Sequence, residues 1–167
     1  MKIVNWKLKI EKGFTLIELI LFMGIFSILI IIFTDIFITS LKTKSIAEST
    51  AFVNQDARFI FAKLTNDINN ANSIVYPELG GTSNSLTLIL YGQLETIQIK
   101  NGNIELVDVN GTHALNSVNT LISNIAFNRL GNIDGKNSIK INITVESRTT
   151  VNNRHQIINL ETAAGLR

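Results

Sequence analysis

A glycine stands at the junction between a basic leader and an apolar run of membrane length. The stretch reads Lys12-Gly13-Phe14-Thr15-Leu16-Ile17-Glu18-Leu19-Ile20 and continues almost without polar interruption to Phe33. As a helix, Phe14 to Thr34 would measure roughly 31 Å, the thickness of a hydrocarbon core. Its only charge is Glu18, one turn inside the run. A carboxylate at the centre of a membrane helix costs roughly 2.5–3.5 kcal/mol even on lenient scales, so such a residue is a functional candidate. A secretory signal is cut after its apolar region, at a small-residue site; here the small residue comes first.

Cutting after Gly13 would discard residues 1–13 and leave the apolar helix on the product, beginning at Phe14. The new amino group would lie four residues before Glu18, on the same helix face. A cation is poorly placed at a helix N-terminus, where the dipole favours negative charge. It gains from a carboxylate partner, its own or that of a neighbouring molecule. An unpaired charge is costly in low dielectric, so an adjacent Glu18 could hold an arriving subunit in register.

Gly13-Phe14-Thr15-Leu16-Ile17-Glu18 resembles the class III signal of type IV prepilins and pseudopilins. The resemblance implies cleavage after Gly13 by a prepilin peptidase, N-methylation of Phe14, and a role for Glu18 in assembly of a helical filament. It also implies a pilin-like fold, other pilin or pseudopilin subunits and an inner-membrane assembly platform as partners, and no cofactor. Leu64-Thr65-Asn66-Asp67-Ile68-Asn69-Asn70-Ala71 is similar to a stretch near the helix end of J-type minor pseudopilins and W-type minor pilins. The ending Asn159–Arg167 resembles that group's closing strand and tail.

The formal net charge is +2 and the isoelectric point about 9.0, but the basic excess sits in the leader. Lys2, Lys7, Lys9 and Lys12 stand there against Glu11, so residues 14–167 keep 11 Lys+Arg against 12 Asp+Glu, a net −1. Those lysines are expected to keep the N-terminus cytoplasmic and the C-terminal domain outside, in a single-pass cytoplasmic-membrane protein that becomes part of an extracytoplasmic filament. The same arithmetic argues against nucleic acid as a partner. A local patch of Lys100, Lys140, Arg148 and Arg154 is the exception to weigh. Cysteine is absent, so no disulfide staples the C-terminal region. Many pilins carry one, and its absence fits a minor subunit better than an exposed major one.

The chain divides on this reading into leader 1–13, a transmembrane helix half 14–35, an amphipathic helix half 36–72 and an extracytoplasmic β domain 73–167. No helix breaker but Gly24 interrupts Phe14 to about Ala71, and Pro77 lies beyond. Ile46, Ser49, Val53, Ala57, Ile60, Leu64, Ile68 and Ala71 recur every three or four residues, one stripe expected to lie on a sheet. Lys44, Glu48, Gln55, Arg58, Lys63, Asn66 and Asp67 fall mostly off it. Strands are expected at Ile74–Tyr76, Ser85–Tyr91, Leu94–Lys100, Asn103–Val109, Thr120–Arg129, Ser138–Ser147 and Gln156–Thr162, with a hairpin across Asn101-Gly102. The fold class is α+β: one long helix packed on an antiparallel sheet.

Chemistry is thin. His113 and His155 are isolated, and no nucleophile elbow or phosphate-binding loop is present. No enzyme is expected. Asn132, Asp134 and Asn137 place oxygen ligands in one loop, a weak calcium candidate that lacks the downstream bidentate acid and contains Lys136. The composite reading is a minor pilin or pseudopilin of a type IV pilus or type II secretion pseudopilus, placed near the tip. The alternatives are a minor pilin for DNA uptake or adhesion, and a monomeric membrane-anchored binding module.

Overall fold

The computed structural model describes residues 13–131, 136–151 and 154–166. The chain divides into two compact units, one ending at Lys42 and one covering Thr43–Arg167. A single helix, α1 (Leu16–Asn70), contributes to both. It begins two residues later than the sequence suggested, because Thr15 caps it. It stops at Asn70, whose side-chain amide bonds back to Asn66 O at 2.9 Å. The backbone N–H of Asn72 then donates to Ile89 O at 2.7 Å, which turns the chain directly into the sheet.

In the first unit the helix is apolar on all sides and unburied, with a mean hydropathy of 2.9 over its most apolar window. This is the pattern of a segment whose solvent is lipid rather than a protein core. Its few hydroxyls donate back to the helix, Ser27 Oγ to Met23 O and Thr34 Oγ1 to Ile30 O, each at 2.8 Å. These two hydroxyl hydrogens are therefore not offered to lipid.

The second unit carries the β structure. Strands β1 (Ser73–Tyr76), β3 (Ser85–Leu90), β4 (Gln93–Lys100), β5 (Asn103–Asp108) and β6 (Gly111–Ala114) form one antiparallel sheet in the order β1-β3-β4-β5-β6. Strands β2 (Thr82–Ser83), β7 (Thr120–Leu130), β8 (Ser138–Val151) and β9 (Arg154–Gly165) form a second, in the order β2-β7-β8-β9. The arrangement is α+β and pilin-like, but the single sheet expected from sequence is two. The chain touches the second sheet briefly at β2 and passes to it for good at Leu115–Asn119, between β6 and β7. β2 and β6 escaped the sequence reading because four residues or fewer of mostly polar character carry no period to detect.

The helical stripe packs as its spacing required. Val53, Ala57, Ile60, Leu64 and Ile68 are buried with Leu86 and Leu88 of β3, Ile97 of β4, Ile104 of β5, Phe127 of β7 and Ile139, Ile141 and Ile143 of β8. Each of these Val, Leu, Ile and Phe side chains contributes about 1.5–3 kcal/mol on leaving water. Along β8 the alternation is strict. In β7 a bulge between Ile122 and Asn124 shifts the register, so Ile122 and Ile125 both face inward despite a spacing of three. Asn101 and Gly102 have φ of 52° and 75°, the primed turn expected of that pair. A second such turn, Tyr91-Gly92 with φ of 51° and 80°, ends β3 at Leu90 rather than at Tyr91.

Candidate functional site: the N-terminal end of the apolar helix

The first turn of α1 is closed by a reciprocal cap. Thr15 Oγ1 accepts from the backbone N–H of Glu18 at 3.3 Å, and Glu18 Oε2 accepts from the backbone N–H of Thr15 at 3.1 Å and from its hydroxyl at 3.0 Å. This is a capping box, in which two orphan donors of the helix end are satisfied by each other's side chains. The spacing Thr-x-x-Glu was the signal for it. Sequence reasoning singled out Glu18 for its charge but passed over Thr15.

The cap brings the Glu18 side chain back to the helix N-terminus, where its Oε2 accepts two hydrogen bonds from Thr15. The carboxylate thus lies at the backbone N–H of Thr15, the residue that follows Phe14, where the new amino group would form. Phe14 is exposed, and it shares a shallow apolar recess with Leu19 and Phe22. Phe22 in turn stacks on Phe26, ring centroids 5.8 Å apart. The arrangement presents a charged acceptor and an aromatic side chain at one helix end.

The remaining candidates fare differently. Asn132 and Asp134 lie outside the described residues. Asn137 is described, and its Oδ1 accepts from Arg129 Nε at 3.4 Å. Among the described residues no group of three or more His, Cys, Asp or Glu side chains converges on a metal position. His113 Nε2 lies 3.8 Å from Asp108 Oδ1, and His155 Nδ1 lies 2.7 Å from Ser147 O. Of the four basic residues weighed as a patch, Lys140 is ion-paired with Glu161 at 2.7 Å. Arg148 is committed to Thr120 O and Asn103 Oδ1.

Asp67 is the main departure from the helical pattern. Set off the apolar stripe by its charge, it is nonetheless 1% exposed. Its Oδ2 lies 2.7 Å from Lys63 Nζ. Asp56 is a second buried carboxylate on α1, accepting from Ser117 of the connection between the two sheets and from Thr120 at the start of β7.

The family model of the prokaryotic N-terminal methylation motif matches residues 8–34. The matched segment contains Gly13, Phe14, Thr15 and Glu18 and supports a type IV prepilin-like class III signal on a membrane-anchored, pilin-like protein. No curated protein and no solved structure matches the chain.

Proposed function

We propose that this chain is a minor pilin or pseudopilin, a non-enzymatic structural subunit that enters a type IV pilus or type II secretion pseudopilus through α1. The observation that carries the reading is the methylation motif over residues 8–34, set on the unburied apolar first half of α1 with one carboxylate in its first turn. A prepilin peptidase cuts after Gly13 and methylates Phe14. Residues 14–35 hold the subunit in the cytoplasmic membrane, with the leader inside and the β domain outside. Sister subunits and an inner-membrane platform are its partners.

The mechanism is mechanical. Before assembly the capping box keeps Glu18 solvated by its own helix end. On assembly the amine at Phe14 of one subunit meets Glu18 of the next and fixes the stagger, while van der Waals packing holds the apolar helices together. The cysteine-free outer domain and near-neutral mature charge favour a minor position near the tip over a major or DNA-binding one.

Glu18→Ala tests this reading. The account expects unchanged membrane insertion and loss of incorporation into filaments, scored by shearing and immunoblotting of the filament fraction. Normal incorporation of that variant contradicts it.

A further inference from the structure

Two carboxylates from opposite layers of the second unit occupy core positions. Asp67 lies on the buried side of α1 beside Leu64 and Ile68. Glu95 takes the inward place on β4, where the alternation continues with buried Ile97, and it is 7% exposed. One cation serves both: Lys63 Nζ lies 2.7 Å from Asp67 Oδ2 and 3.7 Å from Glu95 Oε1. Those two oxygens are sealed from solvent, and among the described residues the Lys63 ammonium is the donor they share. Asn66 Nδ2 offers Asp67 Oδ1 only a long contact at 3.5 Å. With both acids ionised, the seam between helix and sheet would hold a net negative charge away from water, which is strongly unfavourable. One proton removes that charge and lets the single Lys63 ammonium balance the remaining carboxylate.

We propose that Glu95 and Asp67 form a proton-uptake site, in which a single proton shared between them locks α1 to the first sheet as the medium acidifies. Glu95 is the group that takes the proton. Burial raises its pKa above the ordinary carboxylate value and the charge of Asp67 raises it further, against the opposing effect of Lys63. Asp108, on the neighbouring strand, adds to the upward push. Its own pKa is lowered by the backbone N–H of Asn110, helped by His113. Burial works against the Lys63 ammonium, but Asp67 and Glu95 more than offset it and hold its pKa up. Because the folded-state pKa of Glu95 is raised, its protonated form is the stabilising one. That contribution is complete below the denatured-state pKa and is lost as pH rises through the folded value.

The experiment is a carbon-13 titration of glutamate carboxyl groups in the full chain in detergent micelles, with Glu95 assigned by Glu95→Gln. The expected midpoint for Glu95 lies above that of glutamates in the same chain under denaturant, and Asp67→Asn moves it down. Glu95→Gln is expected to raise the melting temperature by about 2–4 °C at pH 7.5 and to flatten its dependence on pH. A Glu95 midpoint at or below the denatured value, a midpoint unmoved by Asp67→Asn, or a Glu95→Gln chain that melts below wild type at pH 7.5 overturns the proposal.

Discussion

Asp56 and Ser117, 61 positions apart, are joined by two hydrogen bonds to one oxygen. Asp56 Oδ2 accepts from the Ser117 backbone N–H at 2.8 Å and from its hydroxyl at 2.7 Å. Thr120 Oγ1 donates to the same oxygen. Together they tie α1 to the segment where the chain leaves one sheet for the other. Asn116 completes the fixation, accepting from Ile104 N–H at 2.9 Å and donating to Thr120 O at 3.1 Å. The connection is thereby tied to α1, β5 and β7, while its Val118 is 85% exposed.

Asp56→Ala is expected to destabilise the chain by about 2–5 kcal/mol, since several buried donors lose a charged acceptor at once. Ser117→Ala should cost less, because Thr120 and the backbone N–H still find the carboxylate. Denaturant unfolding of the two variants in micelles checks both the size and the order. Equal losses would mean that the tether is not organised around Asp56.

Thr15→Val removes the hydroxyl that accepts from the Glu18 N–H while keeping the side-chain volume. Loss of an N-cap costs about 0.5–2 kcal/mol. Amide exchange of Glu18 should accelerate about 2–30-fold, with exchange at the centre of the apolar helix unchanged. Unchanged exchange at Glu18 would show that the cap is not formed.

Tyr91 adopts a φ of 51° at a turn position that suits Asn or Gly, and its ring is 80% exposed. Left-handed backbone costs an L residue about 1–2 kcal/mol, less for Asn. Tyr91→Asn is therefore expected to stabilise the chain by about 1 kcal/mol, read as a rise in melting temperature. A fall would mean that the ring makes contacts worth more than the strain.

What could be read in advance follows from range. The anchor, the stripe from Ser49 to Ala71 and the Asn101-Gly102 hairpin are local patterns, and each has a period or a turn pair that names it. Asp56, Asp67 and Glu95 break those patterns, and their partners come from distant elements; no local window shows that a charged residue on a helix is buried. The second sheet was hidden for a related reason. Consecutive antiparallel strands read alike whether the chain pairs onward or changes sheet, and the residues that hold the connecting segment, Asp56 and Asn116, bond to partners no local window brings together. The inward places of both Ile122 and Ile125 were obscured by the bulge at Ser123, which breaks the two-residue period. At the N-terminus, Glu18 announced itself as a lone charge, whereas Thr15 required the capping spacing to be sought.

The central claim is that the chain is processed at Gly13 and works through the end this exposes. N-terminal mass spectrometry of the protein recovered from membranes of cells that carry a prepilin peptidase tests it most directly. The account predicts a chain that starts at N-methylated Phe14, and a chain still bearing residues 1–13 when the peptidase is deleted. Retention of residues 1–13 in the presence of an active peptidase would contradict it and favour a monomeric anchored module.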